Sequence, residues 1–231
     1  MSILLKIGIP SKGRLKDKSL HIFRKNKIFI KNSKRNYIGK VSNFKNSEVI
    51  FSHAREIIER LAEGSLDLGI SGFDLLNESL PGVKKNIQLY SRLNYGFANL
   101  VVAVPNDWID VQTIADLEEI SFNFKDKQTG KIRIATKYPN LTNEFLSSKG
   151  IIQYKIVNSL GATEIYPFTN QSEIITDITS TGATLKANKL RILKDGVILR
   201  SSACLLISKK SLKDRKKKKK LKLFINKIKK I

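Results

Sequence analysis

Cysteine is nearly missing from this 231-residue chain: Cys204, within SSACLLIS, stands alone. A single thiol excludes an internal disulfide and fits a reducing compartment. Its apolar setting reads as a small buried residue of a strand. Histidine is scarce too, with only His21 and His53, and no CxxC or HExxH spacing occurs, so a structural metal site is not expected. His53 runs into helical sequence and no nucleophile elbow is visible, which argues against Ser-His-Asp hydrolysis. Long hydrophobic runs are absent as well. The longest, such as GFANLVVAVP, fall far short of the roughly 20 residues that span a bilayer. The opening MSILLKIGIPSKGR has too short an apolar core for a signal peptide and reads as a first strand. A cytoplasmic protein is expected.

Acidic residues are few: 20 Asp and Glu stand against 43 Lys and Arg, a formal net charge of +23. The tail SKKSLKDRKKKKKLKLFINKIKKI supplies about half of that excess. The rest is spread along a chain also rich in Asn and Ile, a bias that genome composition explains as readily as function. A basic protein attracts polyanions, whether nucleic acid or substrates with many phosphates. Nucleic acid is the weaker choice, because the tail holds no interleaved aromatic except Phe224 on which bases could stack.

What is present is an ordinary globular share of hydrophobic residues, 41%, arranged as alternating strands and helices. ILLKIGIP, EVIFSH, LDLGISG and FANLVVAVP read as strands, the last as a continuous apolar strand of a parallel sheet. LKDKSLHIFRKN, AREIIERLAEG and FDLLNES read as helices. After Pro105 the series restarts with WIDVQTIADL, KIRIATKYP, NLTNEFLSSKG, YKIVNSLGATE, SEIITDI and TLKANKLRIL. GVILRSSACLLIS then reads as two strands or one bent one. The expected fold is α/β, with two lobes, mostly parallel sheets and a cleft between the lobes. The first lobe takes residues 1–103 and 198–231, and the second takes 104–197. Loops at the carboxyl ends of the strands are the expected ligand sites.

DITSTGATLKAN, Asp177 to Asn188, lies where a strand hands over to a helix. A helix start offers unpaired N–H groups and the positive end of the macrodipole. Gly182 lets the backbone approach a phosphate, and Thr181 and Thr184 add hydroxyl donors. Asp177 would repel that phosphate directly, and fits better as an acceptor from sugar hydroxyls. The plain alternative is a helix cap with no ligand.

Other loops carry polar groups in the same setting: Lys12, Gly13 and Arg14 in PSKGRL, Arg55 in HAREI, Gly72 and Asp74 in GISGFD, and Glu164 in SLGATE. Lys12 and Arg14 suit a solvated surface equally well, and Arg55 an exposed helix pair. Taken in chain order, DLGISG, RIATKYPNLT and STGATLKAN make residues 6–208 resemble the ATP phosphoribosyltransferase family of histidine biosynthesis, in its short form without a regulatory domain. The common phosphoribosyltransferase fold is the nearest rival, but its pattern has two adjacent acids, whereas here Thr176 precedes a lone Asp177. A further departure is Tyr95-Gly96, where Phe-Gly is usual. The lysine-rich tail is not a family feature; it reads as a frayed extension of a last amphipathic helix or as a docking surface.

The resemblance implies a type II periplasmic-binding-protein-like fold. It implies transfer of a 5-phosphoribosyl group from 5-phosphoribosyl 1-pyrophosphate to N1 of ATP, with Mg²⁺ entering through substrate phosphates. It also implies homodimerisation and a second, histidyl-tRNA-synthetase-like regulatory subunit. On this reading Lys12, Arg14, Arg55 and Asp177 are catalytic. Ser180, Thr181, Gly182, Ala183 and Thr184 hold the 5-phosphate, Glu164 the ribose with a plain surface charge as its alternative, Gly72 binds substrate, and Tyr138 lines the nucleotide side, with packing an equal alternative for Tyr138. The second function weighed is a non-catalytic two-lobed small-molecule binding module.

Overall fold

A computed structural model of the chain describes residues 3–31, 37–123 and 130–228. The elements run, in order, β1 (Leu5–Pro10), α1 (Gly13–Lys25), β2 (Ile30–Lys31), β3 (Ile38–Val41), β4 (Ser47–Ser52), α2 (Ala54–Glu63), β5 (Leu68–Gly72), α3 (Phe73–Glu78), α4 (Pro81–Lys84) and β6 (Ile87–Arg92). The middle holds β7 (Ala98–Pro105), α5 (Ile114–Asn123), β8 (Ile132–Thr136), α6 (Pro139–Ser148), β9 (Tyr154–Asn158), a 3₁₀ segment (Thr163–Thr169), β10 (Ile174–Thr179), α7 (Ala183–Ala187) and β11 (Leu190–Ser201). The chain closes with β12 (Ala203–Ser208), α8 (Lys209–Lys213) and α9 (Arg215–Ile228).

Two compact units result: Met1–Phe97 with Ser202–Ile231, and Ala98–Ser201. The first unit is built on a seven-stranded sheet of order β2-β3-β4-β1-β5-β12-β6. Strand residues alternate faces, and the buried side chains divide accordingly. Leu5, Ile7 and Ile9 of β1 join Leu205 and Ile207 of β12 in a core with Phe23 of α1 and with Leu221, Phe224 and Ile225 of α9. Cys204 and Leu206, one step out of phase on β12, face Ile57, Ile58 and Leu61 of α2 instead. Helices therefore cover both faces of the sheet. Each fully buried Leu, Ile or Phe contributes about 1.5–3 kcal/mol from apolar burial.

The second unit is a five-stranded sheet of order β11-β7-β10-β8-β9. Val102 and Val104 of β7 pack with Ile114 and Leu117 of α5 and Leu146 of α6. Val101 and Ala103 face the other way, toward Leu185 of α7 and Ile175.

Both sheets are mixed, which corrects the expectation of mostly parallel sheets. Four pairings, β1–β4, β1–β5, β8–β9 and β8–β10, are parallel, and the other six are antiparallel. β7, read as a parallel-sheet strand, runs antiparallel to both neighbours, β10 and β11. Its continuous apolar run reflects burial on two faces, a condition that strand direction does not set. GVILRSSACLLIS proves to be the end of β11 plus β12, two strands in different sheets. Because β11 pairs with β7 from Leu190↔Pro105 to Ser201↔Ala98, both strands lie in the second unit. The units accordingly divide at 97/98 and 201/202, a few residues from the 103/104 and 197/198 divisions drawn from sequence.

Candidate active site

In the first unit the carboxyl ends of three adjacent parallel strands bring three of the expected loops together. The β1–β4 ladder ends at Pro10↔Ser52, and the Ser11 N–H donates to the Ser52 carbonyl at 2.9 Å. Lys12 is the N-cap residue of α1 and Arg14 lies in its first turn, both exposed. Arg55 is exposed in the first turn of α2, whose cap is His53: its Nδ1 accepts from the Arg55 N–H at 3.4 Å. At the end of β5, the Ser71 hydroxyl donates to the Ala54 carbonyl at 2.7 Å, tying this loop to the start of α2.

Gly72 leaves room for Asp74: a Cβ at this position would sit 2.3 Å from Asp74 Oδ1, so a larger residue would make the buried carboxylate shift from its place over the turn. Beside these loops, Ser11, Phe51, Ser52, His53, Glu56 and Arg60 line an open pocket of about 440 Å³. Arg60 Nη1 reaches Ser52 Oγ at 3.2 Å and Glu56 Oε1 at 3.4 Å.

The second unit repeats the pattern with different chemistry. The parallel ladders β8–β10 and β8–β9 end at Thr176↔Thr136 and Thr136↔Asn158. Just beyond lie Lys137 and Tyr138, the turn from Ser159 to Glu164, and the loop Ser180–Thr184. Beneath them Thr136, Thr142 and Thr176, all fully buried, share hydroxyl bonds of 2.6–3.4 Å, and the Tyr138 N–H donates to Thr136 Oγ1 at 2.9 Å. Three hydroxyls satisfy one another in that interior, whereas a carboxylate at Thr176 would bring a charge into it. This is why one acid, and not two, precedes the loop.

Asp177, one residue on, is half-buried and accepts the Ile178 N–H at 2.8 Å. Burial pushes its proton affinity up; the Ile178 bond and the Lys137 charge oppose this, and the Glu164 charge adds to it. Gly182 adopts a left-handed φ of 76° as the cap of α7, a conformation that favours glycine. Its N–H donates to Thr179 Oγ1 at 2.9 Å, and the Ala183 N–H to Thr181 Oγ1 at 3.3 Å. Ser180, Thr181, Ala183 and Thr184 are exposed.

The structure therefore gathers Lys12, Arg14, Arg55 and Gly72 at one loop edge of the first unit. It gathers Glu164, Asp177 and Ser180–Thr184 at one loop edge of the second. Tyr138 is only 6% exposed, so its ring lies in the interior behind that edge. Sequence reading passed over Lys137, although its place between a strand and Pro139 marks it as a loop residue at a carboxyl end. Among the described residues no group of three or more His, Cys, Asp or Glu is placed to hold a metal ion. No helix among them is long and apolar enough to cross a membrane.

By class this is a two-unit α/β protein of the periplasmic-binding type with polar loop edges at the ends of its parallel strands. The alkanesulfonate-binding protein SsuA from Xanthomonas axonopodis pv. citri shares the fold at a TM-score of 0.53 and 17% identity, over 97% of this chain and 71% of that one. The chain belongs to the ATP phosphoribosyltransferase family: the family model described as "HisG: ATP phosphoribosyltransferase" matches residues 53–230. The ATP phosphoribosyltransferase of Chelativorans sp. (strain BNC1) is 46% identical over 88% of this chain and 90% of that relative. The ATP phosphoribosyl transferase (HisG:HisZ) complex from Thermotoga maritima matches at a TM-score of 0.75 and 26% identity, covering 98% of each chain. The activity is ATP phosphoribosyltransferase, the first step of histidine biosynthesis. A merely binding module on this scaffold is thereby set aside.

Proposed function

We propose that the acid, hydroxyl and glycine groups at the second unit's loop edge hold the phosphoribosyl group, and that the basic loops of the first unit serve the phosphates that leave or attend it. The observation that carries this reading is the convergence of Asp177, Glu164 and Ser180–Thr184 at the carboxyl ends of the parallel strands of one sheet. The Ser180–Thr184 loop offers hydroxyls to a 5-phosphate, with Gly182 permitting close approach. Asp177 and Glu164 accept from ribose hydroxyls, and their charge favours a sugar that turns positive at C1.

Adenine N1 attacks with its own lone pair, so no strong base is needed at the start. The barrier lies in breaking the C1–O bond, and fixed cations aimed at the departing diphosphate lower it most. Lys12, Arg14 and Arg55 are that set, exposed on adjacent loops. Gly72 shapes the neighbouring turn on the nucleotide side, and the buried Tyr138 supports its own edge from behind. Mg²⁺ would enter as an ion carried on substrate phosphates, which suits its preference for phosphate and water oxygens. It would neutralise charge on the diphosphate. The reaction is assigned to the cytoplasm, and a histidyl-tRNA-synthetase-like subunit to its regulation. The two-component name of the Thermotoga complex supports the latter.

The test combines ATP, 5-phosphoribosyl 1-pyrophosphate and Mg²⁺ with the protein, with and without the regulatory subunit, and follows the near-ultraviolet change on alkylation of adenine N1. Arg14→Ala, Arg55→Ala and Asp177→Ala should each lower kcat by roughly 10²–10³-fold while circular dichroism stays native. Normal turnover in all three would remove the assignment.

A further inference from the structure

We infer that Lys137 is a positioning residue for Asp177, holding that side chain as a carboxylate oriented toward the ribose. The inference rests on the reading of Asp177 given above and adds a residue to it. β8 and β10 run parallel with Ile174↔Ile134, Ile175↔Ala135 and Thr176↔Thr136 paired, and Asp177 and Lys137 are the residues that directly follow the last of these pairs. The buried threonine cluster fixes that register from below, because Thr136 and Thr176 are bonded at 2.6 Å.

The surroundings of Asp177 favour its neutral form. On the β7 side it pairs with Val101, which is buried and apolar. The 3₁₀ segment packed on β10 brings Glu164, an acid, and Tyr166, a phenol. The loop that follows β8 brings Lys137, the cation of the set. Partial burial, and to a lesser degree the Glu164 charge, raise the proton affinity of Asp177; the Ile178 N–H bond and then the Lys137 charge lower it. Lys137 is itself exposed, and its charge acts on the neighbour. Without it the acid would take up a proton more readily. It would then lose both its acceptor capacity toward ribose hydroxyls and the negative charge that favours a positive C1.

The experiment uses the full chain with its regulatory subunit and compares wild type, Lys137→Met and Lys137→Arg. Two readouts are taken: kcat/KM for 5-phosphoribosyl 1-pyrophosphate against pH, and the titration of Asp177 by ¹³C NMR of aspartate-labelled protein, with Asp177→Asn to assign the resonance. In Lys137→Met the acid limb should move to higher pH, with activity on that limb falling roughly tenfold and the plateau falling less. The Asp177 resonance should titrate at correspondingly higher pH, and Lys137→Arg should restore both. A uniform loss at all pH values, with the Asp177 titration unmoved, would overturn the inference and make Lys137 a direct substrate contact. A shifted titration alongside full activity in Asp177→Asn would instead sink the role given to Asp177 and leave the coupling standing.

Discussion

Asp177 shows how one side chain can be unfavourable to the fold and useful to the site. Its proton affinity is raised in the folded state, mainly by burial. The folded protein therefore binds a proton more tightly than the unfolded chain, whose Asp titrates near 3.9. Stability linked to this group is full below that value and is lost as pH rises through the folded value. Asp177→Asn should thus melt at the same temperature as wild type or higher at pH 7, with the difference shrinking toward acid, while activity collapses. A melting temperature clearly below wild type at neutral pH would contradict the burial argument. At this scale the sequence made Asp177, Gly182 and the loop hydroxyls legible, because strand, small residues and helix follow one another within twelve positions. The Thr136, Thr142 and Thr176 cluster was not legible, since it joins residues up to 40 positions apart. Tyr138 read equally as a lining or a packing residue, because nothing local reveals that it is buried. Tyr95 also has a local account. Its hydroxyl lies 3.0 Å from Ser19 Oγ on α1, and burial pushes its pKa up to about 12, so it stays a neutral hydrogen-bonding group.

Among the elements, α9 changes the reading of the lysine-rich tail most. In place of a frayed extension, Arg215–Ile228 forms a helix that buries Leu221, Phe224, Ile225 and Ile228 against the first unit. Residues 229–231 of the tail lie outside the described residues. Several lysines serve the packing. Lys217 Nζ lies 2.7 Å from the buried Asp67, which also accepts from Ser211 Oγ at 2.6 Å and the Lys6 N–H at 2.8 Å. Lys220 donates to the Ile3 and Asn46 carbonyls, and Lys227 to that of Asn43. Phe224 stacks edge-on with Phe23 and Phe44. Asp67→Ala leaves the buried Ser211 hydroxyl and the Lys6 N–H without their acceptor and should cost about 1–3 kcal/mol in urea unfolding; Phe224→Ala should cost about 3–5 kcal/mol. Losses below 1 kcal/mol in both would mean the helix is not docked. The composition of the run hid this role, because a lysine's carbonyl partners depend on which face of the helix meets the sheet. The short strands β2, β3 and β6 escaped sequence reading for a related reason: each is at or near a sheet edge, where one-sided burial weakens the apolar pattern.

For the whole molecule, the net charge of +23 takes on two roles. Part lies in the tail lysines that fasten α9, and part in the basic loops at the ends of β1 and β4. The class of fold was legible because alternating strands and helices leave few architectures open, whereas strand direction was not, since antiparallel β7 is buried along most of its length just as the parallel strands are. The central claim is that the phosphoribosyl group is held by the second unit's loop edge. Calorimetric titration of 5-phosphoribosyl 1-pyrophosphate, with Mg²⁺, into wild type and into a Thr181→Ala/Thr184→Ala variant tests it most directly. Loss of two hydroxyl bonds to a charged phosphate should weaken binding by at least roughly tenfold, with ATP binding unchanged. Equal affinity in the two proteins would place the sugar phosphate elsewhere and contradict the account.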